Sequence, residues 1–382
     1  MRARLQSLVA AVIRRASRDA PADAVLRQEL KRQSGLSAAD SHAVSRAVFA
    51  CYRWHGWLDR ADSIAQQVEQ AIAIDERFRH QPTAFADDEL TAKSVSAWIG
   101  EHLEISPAWV RALQTEPRLW LRSRLGHGPE LARSLGDCTG LGAGRLADAL
   151  CYAGSTDLFC TPEFQAGEFE LQDLSSQAVG WLCNPQPVET WWDVCAGEGG
   201  KTLHLAELMD NHGLIWATDR SKWRLQRLKR RAARAQVFNY RMRQWDASAT
   251  LPFKTKFDGV LVDAPCAGVG TWHRNPQARW TTEPRDVQEL AEIQQHILDW
   301  VAPAVKPDGK LVYSVCTLTR AETVEATVAF EARHPEFKPL PQPSPIPPAS
   351  PLQAQHWFWP QDHGGNGMFV ATWRKSSSSD KP

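Results

Sequence analysis

Two cysteines and one aspartate carry the most distinctive chemistry in this sequence of 382 residues. Asp263 ends the apolar run Val260–Val262, Cys266 follows it closely, and Cys316 ends another apolar run within VYSVCTL. The carboxyl ends of parallel strands meet at one edge of an α/β sheet, where such folds place reactive groups. We therefore expect both thiols to lie beside Asp263, although a buried structural cysteine is the ordinary interpretation of either thiol alone.

A thiolate at such an edge is suited to covalent catalysis on a pyrimidine. Its addition to carbon 6 of cytosine makes carbon 5 nucleophilic toward a sulfonium methyl group, which divides one difficult reaction into two easier ones. Only the thiolate attacks, so its surroundings must stabilise the charge. Asp263 is placed to protonate or hydrogen-bond ring nitrogen 3, and a second group must then assist release of the sulfur. The spacing leaves open which cysteine attacks.

A glycine-rich turn, DVCAGEGGKT (193–202), follows a predicted strand and opens a predicted helix. Its glycines allow positive φ angles and close approach of a ligand to the backbone. Asp219 ends the next predicted strand at the distance where an acid binds ribose hydroxyls in nucleotide-binding folds. Asp246 ends the third strand and is either a further ligand contact or a turn aspartate. The glycine spacing matches neither a dinucleotide fingerprint nor a Walker loop.

Strands and helices alternate regularly over 188–331, which predicts a doubly wound parallel sheet. We expect loops at 76–94 and at the proline-rich 334–350, and a last strand, MFVATWRK, at the sheet edge. The predicted organisation is a helical region at 1–105, a small α+β unit at 106–182, the main α/β domain at 183–375 and a disordered tail at 376–382.

Composition restricts the partners only weakly. Lys+Arg and Asp+Glu both number 44, so a nucleic-acid surface must be a local patch. The helix after Asp219 carries eight basic residues between Arg220 and Arg234, which favours phosphate contact over a merely solvated face. The cysteines form no C-x-x-C pair, so we expect no metal site and a reducing cytoplasm. The basic N-terminal stretch is interpreted as an amphipathic helix of the fold rather than a secretory signal, and we expect no membrane span.

The motifs DVCAGEGGKT, ATDRSKWRL, FDGVLVDAPCAGVGTWHRNPQARW, AEIQQHILDWVAPAVKPDGKLVYSVCTL and LQDLSSQ together resemble those of the RsmB/Sun-type RNA cytosine-5 methyltransferases over about residues 106–375. The resemblance implies a class I methyltransferase fold, S-adenosylmethionine as the cofactor and carbon 5 of an RNA cytosine as the acceptor. Small-subunit ribosomal RNA is the expected substrate and transfer RNA the alternative. The segment AVFACYRWHGWLDR also resembles part of a NusB-like helical domain. Separately, we expect the protein to be a monomer.

The same resemblance assigns roles to individual residues. It makes Cys316 the nucleophile, gives Cys266 the release step and places Asp263 between cofactor and base. The cofactor-binding residues that we expect are Cys195, Ala196, Gly197, Glu198, Gly199, Gly200, Lys201, Asp219, Arg224, Asp246 and Asp263. The RNA-binding residues that we expect are Lys229, Arg230, Arg231, His273, Arg274 and Asn275. Glu198 departs from the family's usual Ala-Pro-Gly-Gly-Lys loop, as do Ala267 and Val315 from its usual Ser and Thr.

Two other classes of function remain open at this point. A catalytically inactive RNA-binding assembly factor would use only the helical region and the basic helix, but the two intact cysteine motifs count against it. A nicotinamide-dependent oxidoreductase could use a similar sheet, but the glycine spacing and the paired thiols count against that.

Overall fold

The computed structural model describes residues 3–33, 35–142, 144–348 and 351–377. The helices are α1 Ala3–Arg15, α2 Ala22–Arg32, α3 Ala38–Arg53, α4 Ile64–His80, α5 Asp87–Ser94, α6 Ile99–His102, α7 Pro107–Leu113, α8 Gly128–Leu135, α9 Pro162–Gln165, α10 Leu174–Cys183, α11 Gly200–Leu208, α12 Lys222–Arg234, α13 Ala278–Thr281, α14 Pro284–Val301, α15 Val324–Arg333 and α16 Pro360–His363. Single 3₁₀ turns occur at His55–Trp57, Pro82–Ala84, Gly144–Leu146, Leu158–Cys160, Val269–Thr271 and Ala302–Ala304.

Strands alternate with helices beyond Pro117. They are β1 Leu119–Ser123, β2 Cys138–Gly140, β3 Ala149–Tyr152, β4 Phe169–Leu171, β5 Thr190–Asp193, β6 Leu214–Asp219, β7 Tyr240–Gln244, β8 Phe257–Asp263, β9 Val305–Val315, β10 Phe337–Pro339, β11 Gln355–Phe358 and β12 Met368–Lys375. No helix in the described segments is both long and apolar enough to cross a bilayer.

The chain divides into two compact units. The first contains the described residues up to Pro117 together with Gly268–Asp286 and Pro360–His363, and the second contains the rest. The first unit extends to Pro117, where α7 packs against α5, and the domain boundary expected at 105 stays a prediction. The sequence did not predict that Gly268–Asp286 and Pro360–His363, which come later in the chain, belong to the first unit.

The first unit is helical, as expected, and is built around Trp54. Its indole is fully buried and makes edge or tilted contacts with Trp57, Phe78 and Phe85. The indole N–H donates to Asp75, at 2.9 Å, which satisfies a buried polar group. Whether this unit is NusB-like stays a prediction.

The loop expected at 76–94 is wrong, because α4 continues to His80 and α5 covers Asp87–Ser94. The acidic cluster that suggested a loop forms the first turn of α5, where carboxylates interact favourably with the positive end of the helix dipole. Leu90 anchors the helix, being fully buried.

The second unit contains two sheets. The smaller is antiparallel, in the order β2-β3-β1-β4, and is the α+β element expected within 106–182. The larger has the order β10-β12-β9-β8-β5-β6-β7, with β11 paired to β12. Strands β5 to β9 are parallel, whereas β12 runs antiparallel to β9. The last long strand therefore lies inside the sheet, not at its edge, and β10 forms within the stretch expected to be a loop.

Two consecutive tryptophans are buried on a central strand of the larger sheet, one in each of two core clusters. Trp191 and Trp192 on β5 are fully buried and belong to separate core clusters, because successive side chains of a strand point to opposite faces. Trp191 stands opposite Gly259 of β8, where an added Cβ would lie 2.2 Å from the indole ring. The tail expected to be disordered begins at 376, and residues 378–382 lie outside the described residues.

Candidate active site

The two thiols meet at one edge of the larger sheet, as the spacing predicted. β8 and β9 are parallel neighbours, and Asp263 at the end of β8 stands opposite Ser314 of β9. Cys266 and Cys316 follow these strands, and their sulfur atoms are 3.3 Å apart. Both cysteines are partly exposed as whole residues.

Asp263 is held by hydrogen bonds to both of its carboxylate oxygens. The Ser314 hydroxyl donates to Oδ1 at 2.8 Å, and the Lys201 ammonium donates to Oδ2 at 2.7 Å. The carboxylate remains 30% exposed, whereas Lys201 is only 11% exposed. The acid is thus fixed in orientation while still open to a ligand. Ser314 was missed by the sequence reasoning, although it lies two residues before Cys316 in the chain, opposite Asp263 on the neighbouring strand.

The surroundings of Cys316 lower its pKa on balance, which favours the thiolate. The hydrogen bond with the Cys266 thiol lowers the pKa of Cys316, and the positive charge of Lys201 acts in the same direction. Burial and the negative charges of Asp263 and Glu322 oppose this, but the net pKa lies below that of an ordinary cysteine. Burial alone would lower the pKa of Lys201, yet Asp263 outweighs it and raises that pKa, so the lysine stays charged.

The glycine loop has one packed side and one open side. Gly199 has φ +88°, and a Cβ there would lie 2.5 Å from Leu228 of α12. Gly197 has φ +56°, and a Cβ there would meet no atom within 4 Å. The Gly197 side therefore has room for a ligand, whereas the Gly199 side is filled by Leu228.

Asp219 organises the same loop through its carboxylate. One oxygen accepts the Gly197 N–H at 3.0 Å and the other accepts the Ser221 N–H at 2.7 Å. Glu198, the unusual residue of the loop, pairs with Arg227 at 3.0 Å. Its charge is thus matched by a cation of α12.

Asp193 places a buried acid beneath the loop. One carboxylate oxygen accepts the Thr202 hydroxyl at 2.6 Å, while Oδ1 is buried with no hydrogen-bond partner among the described residues. Burial raises the pKa of Asp193 to about 7, helped by Asp263 and Asp219, against the effects of Thr202 and Lys201. Burial likewise raises the pKa of Cys195, so this thiol is kept neutral.

The remaining predicted cofactor residues lie at the surface. Asp246 is exposed, and its side chain accepts the Ser248 N–H at 3.2 Å, the geometry of a turn aspartate. Arg224 is exposed, with its guanidinium 5.7 Å from the centre of the Trp223 ring. Their cofactor roles stay predictions.

The basic helix α12 contains two kinds of cation. Arg231 and Arg234 both pair with Glu170 of β4, whose side chain is 6% exposed, and Arg231 also donates to the Glu198 carbonyl at 3.0 Å. Lys229 and Arg230 are exposed. The structure thus places Arg231 in an internal ion pair.

The other predicted RNA residues belong to the first unit. His273 is 3% exposed, and burial, with Arg274, Arg279 and Arg53, lowers its pKa to about 3. Arg274 is exposed and Asn275 is half-buried. Among the described residues no cluster of three or more His, Cys, Asp or Glu side chains is arranged to hold a metal ion.

Solved structures define the class to which this sheet and its loop belong. The crystal structure of PH0851 has a TM-score of 0.80 at 23% identity, over 97% of this chain and 98% of that one. A methyltransferase homolog protein from Pyrococcus horikoshii has a TM-score of 0.64 at 25% identity, over 75% of this chain and 98% of that one. The second unit therefore has the Rossmann-like methyltransferase fold that the sequence predicted.

The chain belongs to the RsmB/F family, because the family model described as 16S rRNA methyltransferase RsmB/F matches residues 180–374. The resemblance found in the motifs is thereby confirmed. A ribosomal RNA small subunit methyltransferase B of Citrobacter koseri is 30% identical over 304 residues, 72% of this chain and 70% of that protein.

Two probable ribosomal RNA small subunit methyltransferases B are more similar over a shorter stretch. Those of Synechocystis sp. and Bacillus subtilis are 38% and 40% identical, each over 56% of this chain. The matched part of this chain spans about half of each relative, 49% of its length.

Proposed function

We propose that this protein transfers a methyl group from S-adenosylmethionine to carbon 5 of a cytosine in small-subunit ribosomal RNA. The observation that carries the proposal is the thiol pair, with sulfurs 3.3 Å apart beside the fixed carboxylate of Asp263. The names of the relatives favour ribosomal RNA, with transfer RNA as the alternative substrate. No disulfide joins any of the eight cysteines, all of which lie in the described residues, and this is consistent with action in a reducing cytoplasm.

The residues around the glycine loop fit S-adenosylmethionine. The open side of Gly197 offers space, Asp219 lies next to it, and the unpartnered Oδ1 of Asp193 offers a buried acceptor. The acidic surroundings suit a ligand with a sulfonium and an ammonium group. When bound, the cofactor supplies an electrophilic methyl group.

The side chains of the thiol site then perform the rest of the chemistry. The Cys316 thiolate forms a bond to carbon 6 of the cytosine, and the electron pair of the ring double bond moves to carbon 5. Nitrogen 3 takes up a proton from solvent as negative charge moves into the ring, and the Asp263 carboxylate, oriented by Lys201 and Ser314, accepts a hydrogen bond from that N–H and stabilises the adduct. Once carbon 5 is methylated, its proton passes to the Cys266 sulfur acting as a base, the electron pair of that C–H bond re-forms the ring double bond, and the carbon 6–sulfur bond breaks so that Cys316 leaves as a thiolate. Cys266, adjacent to Cys316, assists this release.

The test compares three cysteine variants for tritium transfer from labelled cofactor to RNA. Cys316→Ala should abolish transfer. Cys160→Ala changes an exposed cysteine in the 3₁₀ turn Leu158–Cys160 and should retain transfer. Cys266→Ala should accumulate a protein–RNA adduct that survives a denaturing gel. Full transfer to carbon 5 by Cys316→Ala would refute the proposed mechanism.

The substrate needs a separate measurement. Bisulfite mapping of ribosomal and transfer RNA from a strain lacking the gene should show one unmethylated cytosine in small-subunit ribosomal RNA. A lost mark in transfer RNA would select the alternative substrate. Absence of cofactor binding by calorimetry would instead favour the catalytically inactive assembly factor.

A further inference from the structure

A buried glutamate links the two loops that carry the thiols. Glu322 is 0% exposed, and each of its carboxylate oxygens accepts two hydrogen bonds. Oε1 accepts the Ala267 N–H at 2.8 Å and the Gln294 amide at 3.0 Å. Oε2 accepts the hydroxyls of Thr317 at 2.9 Å and Thr319 at 2.8 Å. One carboxylate therefore fixes the residue directly after Cys266 and the residue directly after Cys316.

The support continues on the other side of Cys266. The Gln294 amide also donates to the Pro265 carbonyl at 2.9 Å, so the backbone is held immediately before and immediately after this cysteine. The Tyr313 hydroxyl lies 2.7 Å from the Gln294 side-chain oxygen and 2.6 Å from the Glu322 carbonyl. Three buried side chains from α14, β9 and the segment before α15 thus form one network around the thiol loops.

The charge of Glu322 has the wrong sign for activating a thiol. A negative charge nearby raises the pKa of Cys316 and disfavours the thiolate. Burial also raises the pKa of Glu322 itself, against the hydrogen bonds that it accepts. Burying a carboxylate is unfavourable unless its hydrogen bonds are satisfied, as they are here. A group that opposes the thiolate electrostatically, yet joins both cysteine loops, acts through geometry.

We propose that Glu322 is a positioning residue that holds Cys266 and Cys316 at the separation required for their two roles. The proposal rests on the proposed function, in which one sulfur attacks and the other assists release. The carboxylate of Glu322 binds Ala267 and Thr317, the neighbours of the two cysteines in the chain, so its effect on the sulfurs passes through these residues. The geometry itself can be measured without RNA or cofactor.

The first experiment measures disulfide closure between Cys266 and Cys316. Diamide accepts two electrons and two protons from the thiols and becomes the hydrazine, and peptide mass spectrometry follows the disulfide formed. Glu322→Ala should close it roughly tenfold more slowly than wild type, because both loops lose their shared acceptor. Glu325→Gln, at an exposed glutamate of α15, is the matched control and should close at the wild-type rate. If Glu322→Ala formed the disulfide at the wild-type rate, the proposal would be overturned.

The second experiment separates positioning from general destabilisation. Glu322→Gln keeps an acceptor for Ala267 but removes the charge, so kcat for methyl transfer should fall roughly 10- to 100-fold at unchanged KM for RNA. The acid limb of its pH–rate profile should move to lower pH, because the pKa of Cys316 is no longer raised by Glu322. If Glu322→Ala does not fold, Thr319→Val, which removes one hydroxyl donor, replaces it in the closure assay.

The two proposals fail in different ways. If wild-type protein methylates no RNA but Glu322→Ala still slows closure, the proposed function falls and the positioning role stands. If wild-type protein is active while Glu322→Ala keeps both closure rate and kcat, only the positioning role falls.

Discussion

Lys201 and Asp263 form an ion pair of 2.7 Å in which the lysine comes from the glycine loop and the acid from the strand that leads to Cys266. The pair ties the predicted cofactor loop to the thiol site. Because Lys201 also lowers the pKa of Cys316, the glycine loop influences the protonation of the thiol proposed as the nucleophile.

Replacing Lys201 by methionine should therefore raise the pKa of Cys316. The thiolate would lose a stabilising positive charge, so alkylation of Cys316 by iodoacetamide at neutral pH should slow by roughly three- to tenfold. The pH profile of alkylation, read by peptide mass spectrometry, should shift to higher pH. Lys222→Met, at an exposed lysine of α12, is the control and should leave the profile in place. An unshifted profile in Lys201→Met would contradict this electrostatic role.

The two positive-φ glycines of the loop should respond differently to alanine. Gly199→Ala combines an unfavourable φ with a Cβ 2.5 Å from Leu228, and should lower the free energy of unfolding by about 2–4 kcal/mol. Gly197→Ala meets open space and should lower it by only about 1–2 kcal/mol. Its added methyl group should nevertheless weaken S-adenosylmethionine binding, measured by calorimetry. Equal losses in urea unfolding would be inconsistent with this packing.

The exposed and the paired cations of α12 should separate into two phenotypes. Lys229→Ala combined with Arg230→Ala should weaken RNA binding and reduce the slope of log affinity against log salt by about 1.4–1.8. Arg231→Ala should instead lower the free energy of unfolding by roughly 1–3 kcal/mol, because Glu170 is left buried with one cation fewer. Filter binding at several salt concentrations and urea unfolding measure the two effects. A salt slope unchanged in the double variant would remove these residues from the RNA surface.

His273 should make the protein acid-sensitive. Its folded-state pKa of about 3 lies below the value of about 6.5 expected in the unfolded chain. The stability that this neutral histidine contributes is present above about pH 6.5 and is lost as pH falls toward 3, by at most about 1.4 kcal/mol per pH unit. His273→Gln should flatten the dependence of the free energy of unfolding on pH in that window. His80→Gln, at an exposed histidine, should leave the slope as in wild type.

Local sequence patterns were sufficient to predict the parallel sheet of the second unit and the edge at which both thiols lie. Strand–helix alternation and the glycine turn predicted the parallel sheet, and the apolar runs ending in Asp263 and before Cys316 placed both thiols at one edge. These features depend on short-range periodicity and on the general rule that parallel strands share a carboxyl edge.

Long-range partners were not predictable in the same way. Nothing in the basic run distinguishes Arg231 from Arg230, since the difference is Glu170 on a strand 61 residues away in sequence. Glu322 also resembles any surface glutamate in its sequence context, and only the fold brings it to Ala267. Its one local signal is the pair of threonines at 317 and 319, which place hydroxyls close to it in the chain.

The contact between Trp191 and Gly259 has a consequence for the evolution of this sheet. The bulk of the indole fits only opposite a residue without a side chain, so a shift of β8 by one residue along β5 would drive the ring into Asp258 or Val260. The glycine loop follows β5 and Asp263 ends β8. A change at either position alone would therefore disturb the register that sets the glycine loop relative to Asp263, and we expect the two positions to vary together.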